Sequence, residues 1–407
     1  MKVLLLNTYR HGGAGVAAGR LLSALQAQGT DAQILHAEDA GNRWPFYAER
    51  LSFLPYERDK SVRFSFSLAN FGKDLRRHPA VQAADVLHLH WINQGFLSLK
   101  NIAQLARLGK PIIWTLHDIW AFTGGCHIYT CDHFRQSCGH CPYLRHPAPG
   151  DLSHRIWSAK KRWLPANIHF VTCSDWLRGM ALSSSLLVDH FITTIPNPID
   201  TTVFQPVTDA ERTRFRQEKG IAPEARVILF VAMKISEPHK GFRFLQAALE
   251  TLKEKHAALV LEIMVIGKAE PETLALLPYP VHALGLVQNP AALARVYAAA
   301  DVFVTPTLAD NLPNTVMESL ACGTPVAGFR TGGVPEMVEH RENGYIADQG
   351  DSAALAEGIR WVLSGEKPMA ELRQAARQKV EKDYANAVVA GRYAALYQAA
   401  TNTLKAP

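Results

Sequence analysis

Short, uninterrupted apolar runs, each followed by a loop and a helical pattern, recur along this chain and constrain its fold more than anything else in it. KVLLLN at 2–7 is the first. Such a run must be covered on both faces, which is the position of a strand inside a parallel sheet. The loop glycines Gly12, Gly13 and Gly15 follow, and then a helical pattern on Leu21, Leu22 and Leu25 that ends at Gly29. Further strands are predicted at 32–36, 85–90 (DVLHLH), 111–116 (PIIWTL), 168–173 and 192–195, with a helix at 151–165. The aromatic-rich stretch 40–80 gives no regular period, and a Cys/His-rich loop fills 122–148.

A second series starts at 227–232 (VILFVA). It continues with strands at 259–266, 281–284, 302–305 and 325–327 and helices at 241–255, 290–299 and 314–322. The last third reads as helical with Ala-rich faces. Strands alternating with helices twice over predict the α/β class, with two doubly wound Rossmann-like domains. The 407 residues agree, since single cores stop growing at roughly 250–300 residues. The link is expected near 196–205, giving domains 1–200 and 201–384. A last helix, about 385–407, is expected to pack back on the first domain. Ligands of such sheets bind beyond the carboxyl ends of the strands, so two domains imply a cleft between them.

Composition narrows the function classes. With 48% hydrophobic and 20% charged residues, bulk disorder is excluded. No apolar run reaches the ~18–20 residues of a membrane span. MKVLLLNTYR lacks a small-residue cleavage site and reads as a first strand, which predicts a cytoplasmic protein. The net charge of +6 is mild. It suits an anionic ligand or membrane surface and is no nucleic-acid signature.

Several segments could carry chemistry. The HGGAG loop (11–15) between strand and helix lets backbone amides approach an anion, although many such turns contain glycine. His117 and Asp118 directly follow the strand PIIWTL; the alternative is a core histidine bonded to a carboxylate. Lys234 and Lys240 after VILFVA suit a diphosphate, or are solvated surface lysines. Asp310 and Glu318 lie eight apart, one in a loop and one on the next helix, whose start at Asn314, Thr315 and Val316 offers free amides. These acids could hold a hexose and a ribose, or be a cap and a surface residue. Cys126, Cys131, Cys138 and Cys141 follow the order C-x4-C-x6-C-x2-C. That order is compatible with a structural zinc ion, with disulfides or with free thiols. Finally, HRIWSAKKRW (154–163) sets Trp157 and Trp163 beside Arg155, Lys160, Lys161 and Arg162. This suits either contact with anionic lipid or a solvated helix face.

Taken together, these segments resemble the retaining glycosyltransferases of family 4, which have the two-domain GT-B fold. The resemblance covers nearly the whole chain and is most specific at DNLPNTVMESLACGTPVAGFRTGGVPEMV (310–338). HLHWINQGF (88–96), TLHDIWAFTGGC (115–126), SDWL (174–177), IPNPID (195–200) and ALGLV (283–287) support it. The HLHW and TLHDIWAFTGGCH pieces look like a bacterial subgroup that builds exopolysaccharide, capsule or lipopolysaccharide units.

The resemblance implies a role for each matching position. Gly12 and Gly13 approach the donor phosphates and the acceptor, and His117 contacts the transferred sugar. Lys234 and Lys240 bind the diphosphate, and the backbone of Leu286 contacts the base. Asp310 and Glu318 match a Glu-x7-Glu motif, and Asn311, Leu312, Asn314, Thr315 and Val316 line the donor beside them. The implied donor is a UDP- or GDP-sugar, the acceptor a saccharide or lipid-linked saccharide, and no metal is needed for catalysis. Two departures stand out: Asp310 is shorter than the usual Glu, and Lys234 stands where Arg is common. An epimerase or hydrolase of the same fold, or a degenerate sugar-nucleotide-binding protein, is the alternative.

Overall fold

The computed structural model describes residues 1–405, with side chains through 402, and divides the chain into two compact units. The first joins 1–198 to the segment from 387 onward; the second is 199–386. In the first, β1 (Lys2–Asn7), α1 (Gly12–Ala27), β2 (Asp31–His36), α2 (Trp44–Phe53), α3 (Pro79–Ala83), β3 (Val86–Leu89) and α4 (Leu99–Ala106) follow one another. Then come β4 (Ile112–Leu116), α5 (Leu152–Trp163), β5 (Ile168–Thr172), α6 (Asp175–Leu182) and β6 (Ile192–Thr194). The six strands form one parallel sheet in the order β2-β1-β3-β4-β5-β6.

The second unit contains α7 (Asp209–Glu218), β7 (Arg226–Lys234), α8 (Phe242–Lys255), β8 (Leu261–Lys268), α9 (Pro271–Leu274), β9 (Val281–Gly285) and α10 (Pro290–Ala299). It continues with β10 (Val302–Thr305), α11 (Asn314–Ala321), β11 (Val326–Phe329), α12 (Val334–Met337), β12 (Gly344–Ala347), α13 (Ser352–Ser364) and α14 (Met369–Asp383). Its parallel sheet runs β12-β11-β10-β7-β8-β9. The chain then returns to the first unit as α15 (Asn386–Lys405).

In both sheets strand order reverses beside the first strand, between β1 and β3 and between β7 and β10. Loops leaving two such strands diverge above opposite faces of the sheet and open a crevice there. That topology decides which loops can share a site.

The cores follow from the apolar runs. Val3, Leu5, Val86, Ile113 and Val171 face α1 and α15, where Val389, Ala390, Tyr393 and Tyr397 complete the layer. Tyr393 and Tyr397 are fully buried, and a buried phenol needs a partner. Tyr397 reaches His88 Nδ1 at 2.7 Å and Tyr393 reaches Thr115 Oγ1 at 2.8 Å. In the second unit Asp301, buried at the start of β10, accepts from Arg216 at 2.8 Å and from the Val227 amide at 2.7 Å, and also pairs with Arg212.

Three elements differ from the sequence-based expectation. The stretch 40–80 contains the regular helix α2. Its apolar residues lie on both its buried and its exposed face, which erases the helical period. β12 falls in the stretch read as helical; it is a four-residue edge strand paired only with β11. β7 runs to Lys234, so that lysine closes the strand rather than following it.

Candidate functional site

In the second unit, the loops leaving β7 and β10 meet at the reversal of strand order. After β7 the chain makes a single turn at Pro238–Lys240 and enters α8 through Gly241, at φ +74°. A Cβ there would lie 1.9 Å from the Pro306 carbonyl oxygen, so only glycine allows the two loops to touch. That contact sets Lys240 against the β10 loop. Lys240 Nζ lies 2.8 Å from Asp310 Oδ2, and the Thr307 hydroxyl lies 3.1 Å from the same oxygen. On the other side, Gly332 at φ +53° backs onto the Asp310 carbonyl and the Gly333 amide donates to Asn311 O at 2.6 Å. The loop 307–312 is thus clamped from both flanks, with Leu312 buried beneath it.

α11 starts directly after this loop. Its cap position is Pro313, whose side chain makes no capping hydrogen bond to the first turn at Asn314, Thr315 and Val316. Glu318, one turn on, is buried and accepts from Tyr297 OH at 3.0 Å. It is therefore not a surface residue. Lys234 is exposed at the end of β7, and its side chain has no ion pair among the described residues. Leu286 is exposed just beyond β9.

In the first unit, Gly12, Gly13 and His117 border one cavity of about 280 Å³, together with Asn7, Tyr9, His11, Trp91 and Asp118. Gly12 has φ +78°, and a Cβ on Gly15 would lie 2.6 Å from Tyr9 O, so the start of α1 sits tight against the end of β1. Tyr9 stacks between His11 and Trp91.

His117 meets a second histidine at one ring nitrogen and, at the other, Nδ1, the Cys173 sulfur at 3.6 Å. His117 Nε2 is 3.0 Å from His90 Nδ1, and His90 stacks on His88 with centroids 4.2 Å apart. Burial favours the neutral ring in all three. It lowers His88 to about 3 and His117 to about 4, the latter against the opposing pull of Asp118, and it takes His90 well below its ordinary value. Near neutral pH His117 therefore presents an uncharged imidazole.

Asp118 turns the other way. It accepts from the Trp91 indole at 2.8 Å and the Trp120 amide at 2.8 Å, and it contacts His127 Nδ1 at 2.7 Å. Burial pushes this carboxyl up, but His127 and the donated hydrogen bonds outweigh it and hold it below its usual value. His90, Trp91, His127, Thr307 and Tyr297 were not singled out from the sequence. For His90 a signal existed: His88 and His90 are two apart in a buried strand, so they share a face.

One sequence expectation is corrected. Lys160 belongs to no surface patch. It is fully buried, with Nζ 2.9 Å from Thr123 O, bonded also to Trp120 O, and 3.5 Å from the Trp120 ring centroid. Helical periodicity turned it inward from the exposed Arg155, Lys161 and Arg162. The four clustered cysteines are free thiols. Cys126 and Cys141 face each other with sulfurs 3.9 Å apart, while Cys138 accepts the Gly124 amide at 3.1 Å. Among the described residues no group of three or more His, Cys, Asp or Glu side chains is arranged to hold a metal ion.

Comparison with known proteins agrees with this architecture. Residues 11–203 match the family model described as Glycosyltransferase Family 4, and residues 225–365 match that described as Glycosyl transferases group 1. The chain is 28% identical over 231 residues to a D-inositol 3-phosphate glycosyltransferase of Corynebacterium efficiens, covering 53% of this chain and 54% of that one. It is 34% identical over 98 residues to the amylovoran biosynthesis glycosyltransferase AmsK of Erwinia amylovora, covering 23% and 24%. The chain thus spans about half the length, or less, of these curated relatives. Anabaena HepE, solved with UDP-glucose, has the same fold, with a TM-score of 0.63 and 16% identity over 98% of this chain and all of that one. With two parallel Rossmann-like sheets and both family models matched in order, the chain belongs to the family 4 glycosyltransferases of the GT-B fold.

Proposed function

We propose that this protein is a retaining glycosyltransferase that moves a hexose-type sugar from a UDP- or GDP-sugar to a saccharide or lipid-linked acceptor in surface polysaccharide assembly. The observation that carries the reading is Lys240, paired with Asp310 in the loop that leads into the N-terminus of α11. Cleaving a sugar–phosphate bond leaves a nucleoside diphosphate anion. A lysine and a helix N-terminus in that position stabilise such a leaving group. Lys234 adds a second cation on the adjoining strand end, and buried Glu318 supplies an acceptor for sugar hydroxyls.

In this reading the acceptor hydroxyl attacks the anomeric carbon from the face that the phosphate leaves. The new C–O bond forms, the C1–O bond to phosphate breaks, and its electron pair stays on the diphosphate. The hydroxyl proton passes to the departing phosphate oxygen. His117, neutral and bonded to His90, orients the transferred sugar without adding charge. No divalent ion is required. HepE, solved with UDP-glucose, supports a nucleotide-sugar donor, and AmsK, whose name assigns it to amylovoran biosynthesis, supports a polysaccharide role.

Nucleotide-sugar turnover tests this. Wild type should release nucleoside diphosphate from one donor of a panel, and Glu318→Ala and Lys240→Ala should lose the release. Equal release by all three proteins would refute the site. Release independent of any saccharide acceptor would favour an epimerase or hydrolase. Thermal shift across the same panel identifies the donor, since a ligand bound only by the native state raises its stability.

A further inference from the structure

The outward face of α2 is apolar, the reverse of an ordinary surface helix. Pro45, Glu49 and Phe53 form its buried face. Trp44, Tyr47, Leu51 and Leu54, at i, i+3, i+7 and i+10, form the opposite face, where Trp44 is 63% exposed and Leu51 65%. Phe64, 68% exposed, extends the patch. Among the described residues, six of the sixteen exposed large hydrophobics fall within 44–64.

The charges around this face are one-sided. Segment 43–64 has three acids. Glu49 is buried, accepting the amides of Ala69, Asn70 and Phe71. Glu57 is buried against Arg63 and Asp59 is paired with Arg58. Among the described residues Arg43, Arg50 and Lys60 form no ion pair within 4.0 Å of a carboxylate, and Arg50 feels Glu57 only at longer range. Arg43 lies over Phe46 and Tyr47, and Arg50 over Phe64.

We propose that α2 is an interfacial anchor that seats this unit on an anionic lipid bilayer. A ten-residue helix is too short to span a membrane, which takes about 20 residues, but it can lie in the headgroup layer. Trp and Tyr favour that layer, leucines enter the acyl boundary, and unpaired cations meet lipid phosphates. A second copy of the chain is a worse partner, because a two-fold contact through this face would bring the same three cations together. The start of α2 also borders a cavity of about 410 Å³ that contains Arg43, Phe46, Tyr9 and His11. Docking would hold that cavity at the height of a lipid-linked acceptor's headgroup. This last point rests on the function proposed above; the anchor itself does not.

Vesicle co-sedimentation of the full-length protein reads the surface without turnover, so its failure is separable from failure of the transferase reading. Wild type should sediment with phosphatidylcholine vesicles containing phosphatidylglycerol, and less with phosphatidylcholine alone or in high salt. Trp44→Ser/Leu51→Ser/Leu54→Ser should bind at least roughly tenfold more weakly, and Arg50→Gln/Lys60→Gln should lose the preference for phosphatidylglycerol. Lys161→Gln/Arg162→Gln on α5 should bind as wild type does. The serine and α5 variants change exposed positions only, and Arg50→Gln gives up one bond from a half-buried side chain to the Arg63 carbonyl, so circular dichroism of all three should match wild type. No binding by wild type at low salt, or full binding by the triple serine variant, would overturn the proposal. So would a dimer in sedimentation velocity that the triple variant dissolves.

Discussion

Lys240 Nζ stands 2.8 Å from Asp310 Oδ2, and the contact exists because Gly241 lets the two loops pack backbone to backbone. Without donor, each charge compensates the other at a partly exposed position. Lys240→Ala removes the leaving-group cation and should lower kcat/KM by roughly 10²–10³-fold in a diphosphate-release assay. Lys240→Arg should recover part of that loss. A Lys240→Ala enzyme as fast as wild type would place the diphosphate elsewhere.

The state of His117 sets the pH behaviour of turnover. Burial lowers its ring to about 4, so it carries no proton from about pH 5.5 upward. The rate should show no ionisation of this residue from about pH 5.5 to 8. NMR of ring-labelled histidine should find it neutral throughout. A titration near the ordinary histidine value would remove the neutral-imidazole role.

His88 makes the fold acid-sensitive. Its pKa, lowered by burial to about 3, lies below that of an unfolded histidine, near 6.5. Between those values the unfolded chain binds the proton and the folded one does not, so stability falls as pH falls. The ring alone should account for roughly 2 kcal/mol lost between about pH 6.5 and 4.5. Urea unfolding at those pH values measures it, and His88→Asn should flatten the slope while lowering stability at neutral pH.

Lys160→Met should destabilise the first unit by about 1–3 kcal/mol, because it leaves the carbonyls of Trp120 and Thr123 buried without their donor. Loss of vesicle binding without loss of stability would instead return this lysine to the surface.

The four clustered cysteines should all react with a thiol reagent after denaturation of protein purified under reducing conditions, and metal analysis should find no stoichiometric zinc. One equivalent of zinc would mean that the sulfurs converge in solution.

Both sheets were legible because a strand buried on two faces must be apolar throughout, as in VILFVA and PIIWTL. Their loops were legible for the same reason: the residue after such a run stands at the carboxyl end of a strand, which placed His117 and Asp310. What the chain hid lies in orientation. Lys160 and Lys161 are adjacent letters, yet helical rotation buries one and exposes the other. Asp118 follows His117 but bonds to Trp91 and His127, which come from other loops. The α2 face escaped because a helix with apolar residues on two sides shows no period to detect.

The return of α15 to the first sheet governs the order in which the protein can be completed during synthesis. Val389, Ala390, Tyr393 and Tyr397 close the face formed by Val3, Leu5, Val86 and Ile113, yet they leave the ribosome only after the whole second unit. His88 and Thr115 must wait for their phenol partners until the second unit has been translated. The second unit is continuous in sequence, and its two ends are tied by hydrogen bonds between Ile199 and Tyr384 and between Asn386 and Ile199. It can mature as an insert while its host is still unfinished. A nascent chain that has released residue 386 but not yet α15 would therefore present one settled unit and one with its sheet uncovered, which makes this returning helix the step that quality control has most reason to inspect.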